Sequence, residues 1–459
     1  MTPSLSDLGL PDSAVLAVDD AGASLTHGEV VEGARAWADT LGSDKRLVLL
    51  LCRNTCACLR AYLGLLRAGH AVILAGEDAG EAALADLKAR FRPHAVVDAS
   101  GEVRSLEPDG APVNPALGVL LSTSGSTGSA KLARFSLAQL EANARSIAAY
   151  LELAAAERPL AHLPFHYSYG LSVLHSHLLV GATVLLSEAS VMNPGFWTRL
   201  QDATSLSGVP FHYEMLLKLR FQRRDLPKLR TLTQAGGRLA PALVSQLAGL
   251  ADEKGWRFFV MYGQTEAGPR ISYASTAMLK DKPETIGGPI PGVTMTLIDE
   301  AGAEISQADR EGELVVESPS IMLGYAESAS DLMRGDDLSG RLATGDLAVR
   351  DAEGRFTVTG RKNRFLKLQG NRVNLAEVES RLAALGFSAV CVGEDDRLWL
   401  ATESDDEAAL REAVVREFTF PSRSATVVRM ARLPRSDSGK PRYRELLAQL
   451  KDGQEAQPR

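Results

Sequence analysis

Cysteine is scarce in this chain: four residues among 459, at Cys52, Cys56, Cys58 and Cys391. Three fall close together in LCRNTCACLRAYLGLLRAG, but no CxxC pair and no nearby histidine completes a zinc ligand set. They read as small buried hydrophobes, and a chain without a disulfide framework fits a reducing, cytoplasmic setting. Long apolar runs are also missing: none approaches the ~18 residues that a bilayer crossing needs. The opening MTPSLSDLGLPDS has neither the basic n-region nor the apolar h-region of a secretory signal. Nor is there an excess of positive charge. Lysine and arginine total 50 against 57 aspartates and glutamates, a net charge of −7, which gives no general electrostatic reason to bind nucleic acid or an anionic membrane. The chain has no internal repeat and no long low-complexity segment.

What is present is an ordinary globular composition, 45% apolar and 23% charged, with enough apolar surface to offset the entropy of ordering. At roughly 100–200 residues per domain, the length predicts two to four structural units. Apolar residues at helical spacing predict helices over 28–41, 55–68, 79–91, 136–153, 170–180, 213–220 and 240–254. Between them stand short apolar runs such as RLVLLLC (46–52), GVLLS (118–122), ATVLLS (182–187), TLTQAG (231–236) and RFFVMYG (257–263), as expected of buried strands. Strands alternating with helices predict layered α/β structure with mostly parallel sheets. After about residue 283 the pattern changes to short strands joined by Gly/Asp turns, a β-rich subdomain. Helices return at 375–385 and 405–417, strands near 388–392 and 425–430, and KDGQEAQPR reads as a frayed polar tail. A boundary at GRKNR (360–364) divides the chain into 1–360 and 361–459.

Five segments carry chemistry. The first, Ser122-Thr123-Ser124-Gly125-Ser126-Thr127-Gly128-Ser129-Ala130-Lys131, directly follows an apolar strand. Small residues admit close backbone approach to an anion, successive N–H groups can form an anion nest, and Lys131 adds charge. The spacing is neither a Walker A loop nor a Rossmann GxGxxG; a flexible linker is the bland alternative. The second is Met261-Tyr262-Gly263-Gln264-Thr265-Glu266-Ala267-Gly268, where a tyrosine at a strand end can stack on a nucleobase and Glu266 is a hard ligand suited to Mg²⁺. The third is Ala343-Thr344-Gly345-Asp346-Leu347. The fourth runs from Gly360-Arg361 past Lys367 and Gly370 to Glu377 and Glu379. The fifth, Leu433 through Pro441, is a turn-rich loop presenting Lys440. Taken singly, the Asp346 turn and the RKNR run would be solvated surface.

In this order and spacing, across roughly residues 25–445, the segments resemble those of the adenylate-forming superfamily: acyl-CoA synthetases, peptide-synthetase adenylation domains and luciferases. Asn54 and AYLGLLRAG are similar to that family's NSxxxxxAYLGxLxAG pattern. The resemblance implies a large N-terminal α/β domain of several subdomains, with layered sheets and a small β-subdomain, and a small mobile α+β C-terminal domain carrying a catalytic lysine. It implies that Thr123, Ser124, Gly125, Ser126, Thr127, Gly128 and Lys131 hold the β- and γ-phosphates of ATP. Tyr262 would lie against adenine with Gly263 and Gln264 beside it, Thr265 near the α-phosphate, and Glu266 with Thr127 on Mg²⁺. Ala235, Gly236 and Gly237 would border adenine and the acyl pocket, Asp346 and Arg361 would hold the ribose, and Lys440, Thr127 and Glu266 would be catalytic. Three positions depart from the pattern: Ala130 stands where proline is usual, Leu132 where glycine is, and Asn363 where an Asp or Lys forms the domain pivot.

The implied activity is ATP-dependent formation of an acyl-adenylate, then transfer to the thiol of CoA or of a carrier protein. No carrier domain fits after Lys440, so a carrier would be a separate chain. Candidate acid-pocket residues are His166, Tyr167, Phe211, His212, Gly236 and Gly288. The stretch His162–Leu171 has no aspartate to pair an ammonium, which disfavours an α-amino acid and points to an acyl or aryl acid. His175 and His177 read as packing or surface residues. The competing readings are a free-standing amino-acid adenylation domain and a non-catalytic nucleotide- or acyl-binding module. Retention of Thr127, Glu266, Asp346, Arg361 and Lys440 together speaks against the module, because binding alone does not require the distant lysine.

Overall fold

Two twisted sheets with parallel centres hold most of the chain, as alternating strand and helix patterns predict. The computed structural model describes residues 3–123, 131–362, 364–368, 371–394, 396–418, 424–435 and 441–455. One sheet has seven strands, in the order Gly324–Ala326, Leu132–Phe135, Val119–Ser122, Ala71–Gly76, Leu47–Cys52, Ala95–Val97, Val103–Leu106; its four middle strands are parallel. The other has nine, with a parallel run from Val15–Val18 through Val184–Leu186, Pro159–Ala161, Ser205–Gly208 and Thr231–Gln234 to Arg257–Tyr262. Antiparallel strands Ser24–Thr26, Ser272–Ala274 and Gly288–Pro289 extend its two edges. Parallel strands such as Leu47–Cys52 and Ala71–Gly76 are apolar on both faces because both faces are covered.

Helix starts follow their local chemistry. Thr26 caps His27–Leu41 and Ser136 caps Leu137–Tyr150, each with a reciprocal bond from Glu29 or Gln139 three residues on. Helix Pro210–Lys218 begins three residues before the predicted 213 because Pro210 occupies its first turn, where a missing N–H costs nothing. Every residue of helix Ser168–Leu178 is buried. Its Leu171 and Leu174 join one core with Val48 and Leu50 of the first sheet and Val184 and Leu186 of the second. The four cysteines are buried and free.

The chain forms two compact units. The first holds most of the residues up to Thr294 together with Val316–Leu342; the second holds Met295–Val315 and the described part of 343–459. The second contains the sheet Thr294–Ile298, Gly312–Glu317, Arg341–Arg350, Phe356–Arg361, the hairpin Phe365–Leu368 with Asn371–Asn374, and a three-stranded sheet Val390–Glu394, Arg397–Thr402, Ala425–Arg429. Helices Leu375–Ala384, Glu407–Glu417 and Tyr443–Glu455 accompany these strands. The last helix corrects one expectation. Residues 451–455 of the segment read as a polar tail are helical, because Leu446 and Leu450 bury an apolar stripe that carries the helix on. Among the described residues no helix is long and apolar enough to cross a membrane.

Candidate active site

The phosphate-loop segment is the connection of an antiparallel hairpin. Strand Val119–Ser122 pairs with Leu132–Phe135 through Ser122 opposite Leu132, and the loop ends are clipped together: Thr123 donates its N–H and its hydroxyl to the Lys131 carbonyl at 3.3 and 3.2 Å. Ser124, Gly125, Ser126, Thr127 and Gly128 lie outside the described residues, as do Asn363 and Lys440. The Lys131 ammonium stands 2.6 Å from Glu327 and 5.8 Å from the Tyr325 ring centre. Tyr325 in turn donates to Glu266 Oε1 at 2.8 Å. The expected phosphate cation and the expected Mg²⁺ ligand are therefore linked through Tyr325, with Glu327 pairing the lysine, two residues that sequence reasoning did not select.

Tyr262 ends the strand Arg257–Tyr262, and the chain turns at once through Gly263 and Gln264 into a short 3₁₀ turn at Thr265–Ala267. Gly263 is required by close approach: a Cβ there would stand 1.7 Å from the Pro269 carbonyl oxygen. Thr265 meets the Ser168 hydroxyl at 2.9 Å, and the Glu266 carbonyl accepts from the Met322 N–H at 2.9 Å. Gln264 Nε2 is buried without a hydrogen-bond partner. An orphaned donor costs desolvation energy unless a ligand acceptor meets it. That donor, a half-buried hard carboxylate and a lysine form a set that fits a Mg²⁺-nucleotide.

The neighbouring loop, Ala235 to Gly237, is braced by the Gln234 side-chain amide, which donates to both the Ala235 and Gly237 carbonyls. Gly236 has φ +82°, and a Cβ on it would stand 2.6 Å from the Tyr167 hydroxyl and 2.9 Å from Val209. Tyr167 thus covers this loop; burial pushes its phenol up to about 12. His166 lies against Gly76, 3.1 Å from the position of a Cβ there. Gly288 pairs with Tyr273 at the sheet edge.

The other expected pocket residues have plainer surroundings. Phe211 is 54% exposed. His212 accepts the Val209 N–H on Nδ1 at 3.3 Å, a helix cap, and its ring meets His162 edge-on at 4.7 Å. Burial, aided by His162, lowers His212 to about 3, so it is neutral. His175 and His177 are packing residues: Tyr62 bonds His175 Nε2 at 2.9 Å, and His177 Nδ1 bonds the Val173 carbonyl at 2.8 Å. In the second unit, Asp346 is 3% exposed and opposes Arg361 across paired strands, with Arg361 Nε donating to its Oδ1 at 2.7 Å. Thr344 accepts the Asp346 N–H and donates to the Leu314 carbonyl, holding the carboxylate's backbone in place.

Comparison with known proteins agrees with this geometry. Residues 106–326 match the model of the AMP-binding enzyme family. A feruloyl-CoA synthase from Amycolatopsis is 31% identical over 291 residues, 61% of this chain and 57% of that protein. An indoleacetate–CoA ligase from Aromatoleum aromaticum is 28% identical over 313 residues, 66% of this chain and 59% of that protein. The chain thus spans a little over half the length of these relatives in the match. The fold is shared more widely. o-Succinylbenzoate CoA synthetase from Bacillus subtilis, in complex with its acyl-adenylate, superposes with a TM-score of 0.79 at 20% identity, covering 97% of this chain and 98% of that one. ATP-bound MatB from Rhodopseudomonas palustris gives 0.77 at 19% identity, covering 98% and 99%. Residues 106–326 thus match the AMP-binding enzyme family, and the fold over nearly the whole chain is that of the CoA synthetase and MatB structures named above.

Proposed function

We propose that this protein is an AMP-forming acid–thiol ligase: it joins a carboxylic acid to AMP with release of pyrophosphate, then passes the acyl group to the thiol of CoA or of a separate carrier protein. The observation that carries this reading is the Tyr262–Glu266 turn, in which Thr265 and Glu266 are each held by a side chain from another element, Ser168 and Tyr325. The named relatives, a feruloyl-CoA synthase and an indoleacetate–CoA ligase, support aryl or acyl acids and CoA. The division of labour follows the family resemblance: residues 1–360 bind nucleotide and acid, and 361–459 bring Lys440.

In the first step a carboxylate oxygen bonds to the α-phosphorus and the bond to pyrophosphate breaks. Thr265 and Lys440 serve the α-phosphate oxygens, where charge builds in the transition state; fixed donors and cations aimed there lower the barrier more than they tighten ground-state binding. Thr123 and Lys131 serve the leaving phosphates. Glu266 and Thr127 hold Mg²⁺, which supplies charge neutralisation on the polyphosphate. Asp346 and Arg361 orient the ribose. In the second step the thiol sulfur bonds to the acyl carbon, AMP leaves with the electron pair, and the thiol proton is lost to solvent. Pyrophosphate exchange with a panel of aryl, aliphatic and amino acids tests the reading. Exchange dependent on one class of acid and on Mg²⁺ is expected; no exchange with any acid overturns it. Thioester formation with CoA and with a phosphopantetheinyl carrier, assayed side by side, identifies the acceptor.

A further inference from the structure

We propose that Tyr325 sets the metal preference of the site: by holding one oxygen of Glu266, it leaves that carboxylate a single oxygen for a cation and so selects Mg²⁺ over Ca²⁺. The inference deepens the proposed ligase reading, from which Glu266 takes its role as metal ligand. The Tyr325 hydroxyl donates to Glu266 Oε1 at 2.8 Å. Among the described residues Glu266 Oε2 accepts no hydrogen bond, and no lysine or arginine pairs with the carboxylate. One oxygen is therefore committed and the other is open to a metal.

The backbone fixes this contact from both sides. Strand Gly324–Ala326 lies antiparallel to Leu132–Phe135, with Tyr325 opposite Ala133. Just before it, the Leu323 N–H donates to the Arg134 carbonyl at 2.7 Å and the Met322 N–H to the Glu266 carbonyl at 2.9 Å. Glu266 is thus tied to this segment through its main chain and its side chain alike. Continuing the strand register past Ala326 and Leu132 sets Glu327 opposite Lys131, and residues two apart on a strand share a face. Tyr325, Glu327 and Lys131 therefore stand on one face of the sheet. That is why the Lys131 ammonium reaches Glu327 at 2.6 Å and lies 5.8 Å from the Tyr325 ring centre. The ring seats the cation proposed for the phosphates, and the hydroxyl orients the proposed metal ligand.

The two ions ask different things of a carboxylate. Mg²⁺ is small, demands octahedral geometry at about 2.0–2.1 Å, and is usually held by one or two carboxylates together with phosphate oxygens and waters. Ca²⁺ is larger, takes about six to eight oxygens in flexible geometry, and accepts both oxygens of one carboxylate. A Glu266 with Oε1 committed to a phenol meets the first demand and not the second. Bidentate binding would break the Tyr325 bond, and a hydrogen bond to an ionised acceptor is of the stronger kind.

Calorimetric titration of the full chain with ATP in Mg²⁺, in Ca²⁺ and in EDTA tests the proposal, beside pyrophosphate exchange on the same proteins. The wild type should bind ATP more tightly with Mg²⁺ than with Ca²⁺. Tyr325→Phe keeps the ring and removes the hydroxyl. It should cut that preference on the order of 10-fold and bind ATP in EDTA as the wild type does, a split that general loosening of the fold would not produce. Tyr325→Leu removes ring and hydroxyl, so it should lose the preference and also weaken ATP binding in EDTA. Tyr325 is 36% exposed, so both variants should fold; if neither does, the wild-type preference decides. A preference unchanged in Tyr325→Phe, or a wild type that binds ATP equally with the two metals, overturns the Tyr325 assignment and leaves the ligase reading intact. A preference lost in Tyr325→Phe, with no exchange for any acid, supports the assignment and overturns the ligase reading. No binding of ATP with either metal overturns both.

Discussion

Single residues carry the reaction, and they divide by what surrounds them. Glu266 and Thr265 are held by hydroxyls of Tyr325 and Ser168, so their orientation is set before any ligand arrives, the condition for electrostatic catalysis. In the proposed reaction Lys440 would have a different task, acting on charge that appears only in the transition state. Lys440→Ala is expected to slow adenylate formation by about 100- to 1,000-fold while ATP affinity, measured by calorimetry, changes little. Near-normal pyrophosphate exchange would exclude Lys440 from that role. Asn54 shows the opposite case, a motif residue with a structural duty. Its amide donates to the Ala161, Leu163 and Ser187 carbonyls at 3.0–3.2 Å, and its Oδ1 accepts from the Phe165 N–H. Asn54→Ala leaves these buried groups unmet and should cost about 2–4 kcal/mol in a urea titration; a loss below about 0.5 kcal/mol would mean that water takes over the bonds.

Elements decide the shape of the proposed acid pocket. The Ala235–Gly237 loop ends a central strand, and its glycine combines a positive φ with contact to Tyr167 and Val209. Gly236→Ala forces both to shift. The KM for the acid should rise on the order of 10-fold with ATP binding spared, and an unchanged KM would place the acid elsewhere. The elements themselves were largely legible in the chain. Strand Leu47–Cys52 and helix Cys56–Arg67 lie within a residue or so of where periodicity puts them, since each has a strong pattern and a clear stop. Strand Ser205–Gly208 was not legible: SLSG has no apolar run to mark it, yet it sits mid-sheet, paired on both sides by Pro159–Ala161 and Thr231–Gln234. Its Ser207 hydroxyl accepts from Thr233 across the sheet, and such tertiary pairing overrides weak local propensity.

At the scale of the molecule, two properties follow from the whole assembly of parts. The first is acid sensitivity. Burial lowers His175 to about 3 and His177 to about 4. A group depressed below its unfolded value of about 6.5 adds stability above that pH and loses it as pH falls towards the folded value, because only the unfolded chain takes up the proton. Each contributes a slope of up to about 1.4 kcal/mol per pH unit in that window, so the urea midpoint should drop from pH 6.5 to pH 4.5. A flat midpoint would show that these rings gain water. The second, under the proposed two-step reaction, would be motion between steps. Asn363 stands where the family places its pivot, and the next residue is anchored: Arg364 holds Glu379 at 2.7 and 2.9 Å and the Cys391 carbonyl at 2.8 Å. Asn363→Pro, which restricts the backbone, should block thioester formation and spare adenylation; equal loss of both steps would argue against a hinge at that residue.

Residue order alone pointed to the family resemblance, the α/β layering and the candidate nucleotide motifs, because each rests on short-range signals: a strand followed by a glycine-rich loop, a Tyr-Gly-Gln-Thr-Glu turn, a lysine near the C-terminus. What the chain could not reveal by inspection was which side chains from distant segments meet. Tyr325 on Glu266, Ser168 on Thr265 and Asn54 across three carbonyls are partnerships between residues 59 to 133 positions apart. Nothing in the sequence marked Arg270, which follows a Gly-Pro pair; only packing buried it against the Tyr169 ring. Burial and pairing are properties of the folded contacts, not of local sequence, so tertiary structure alone decided them.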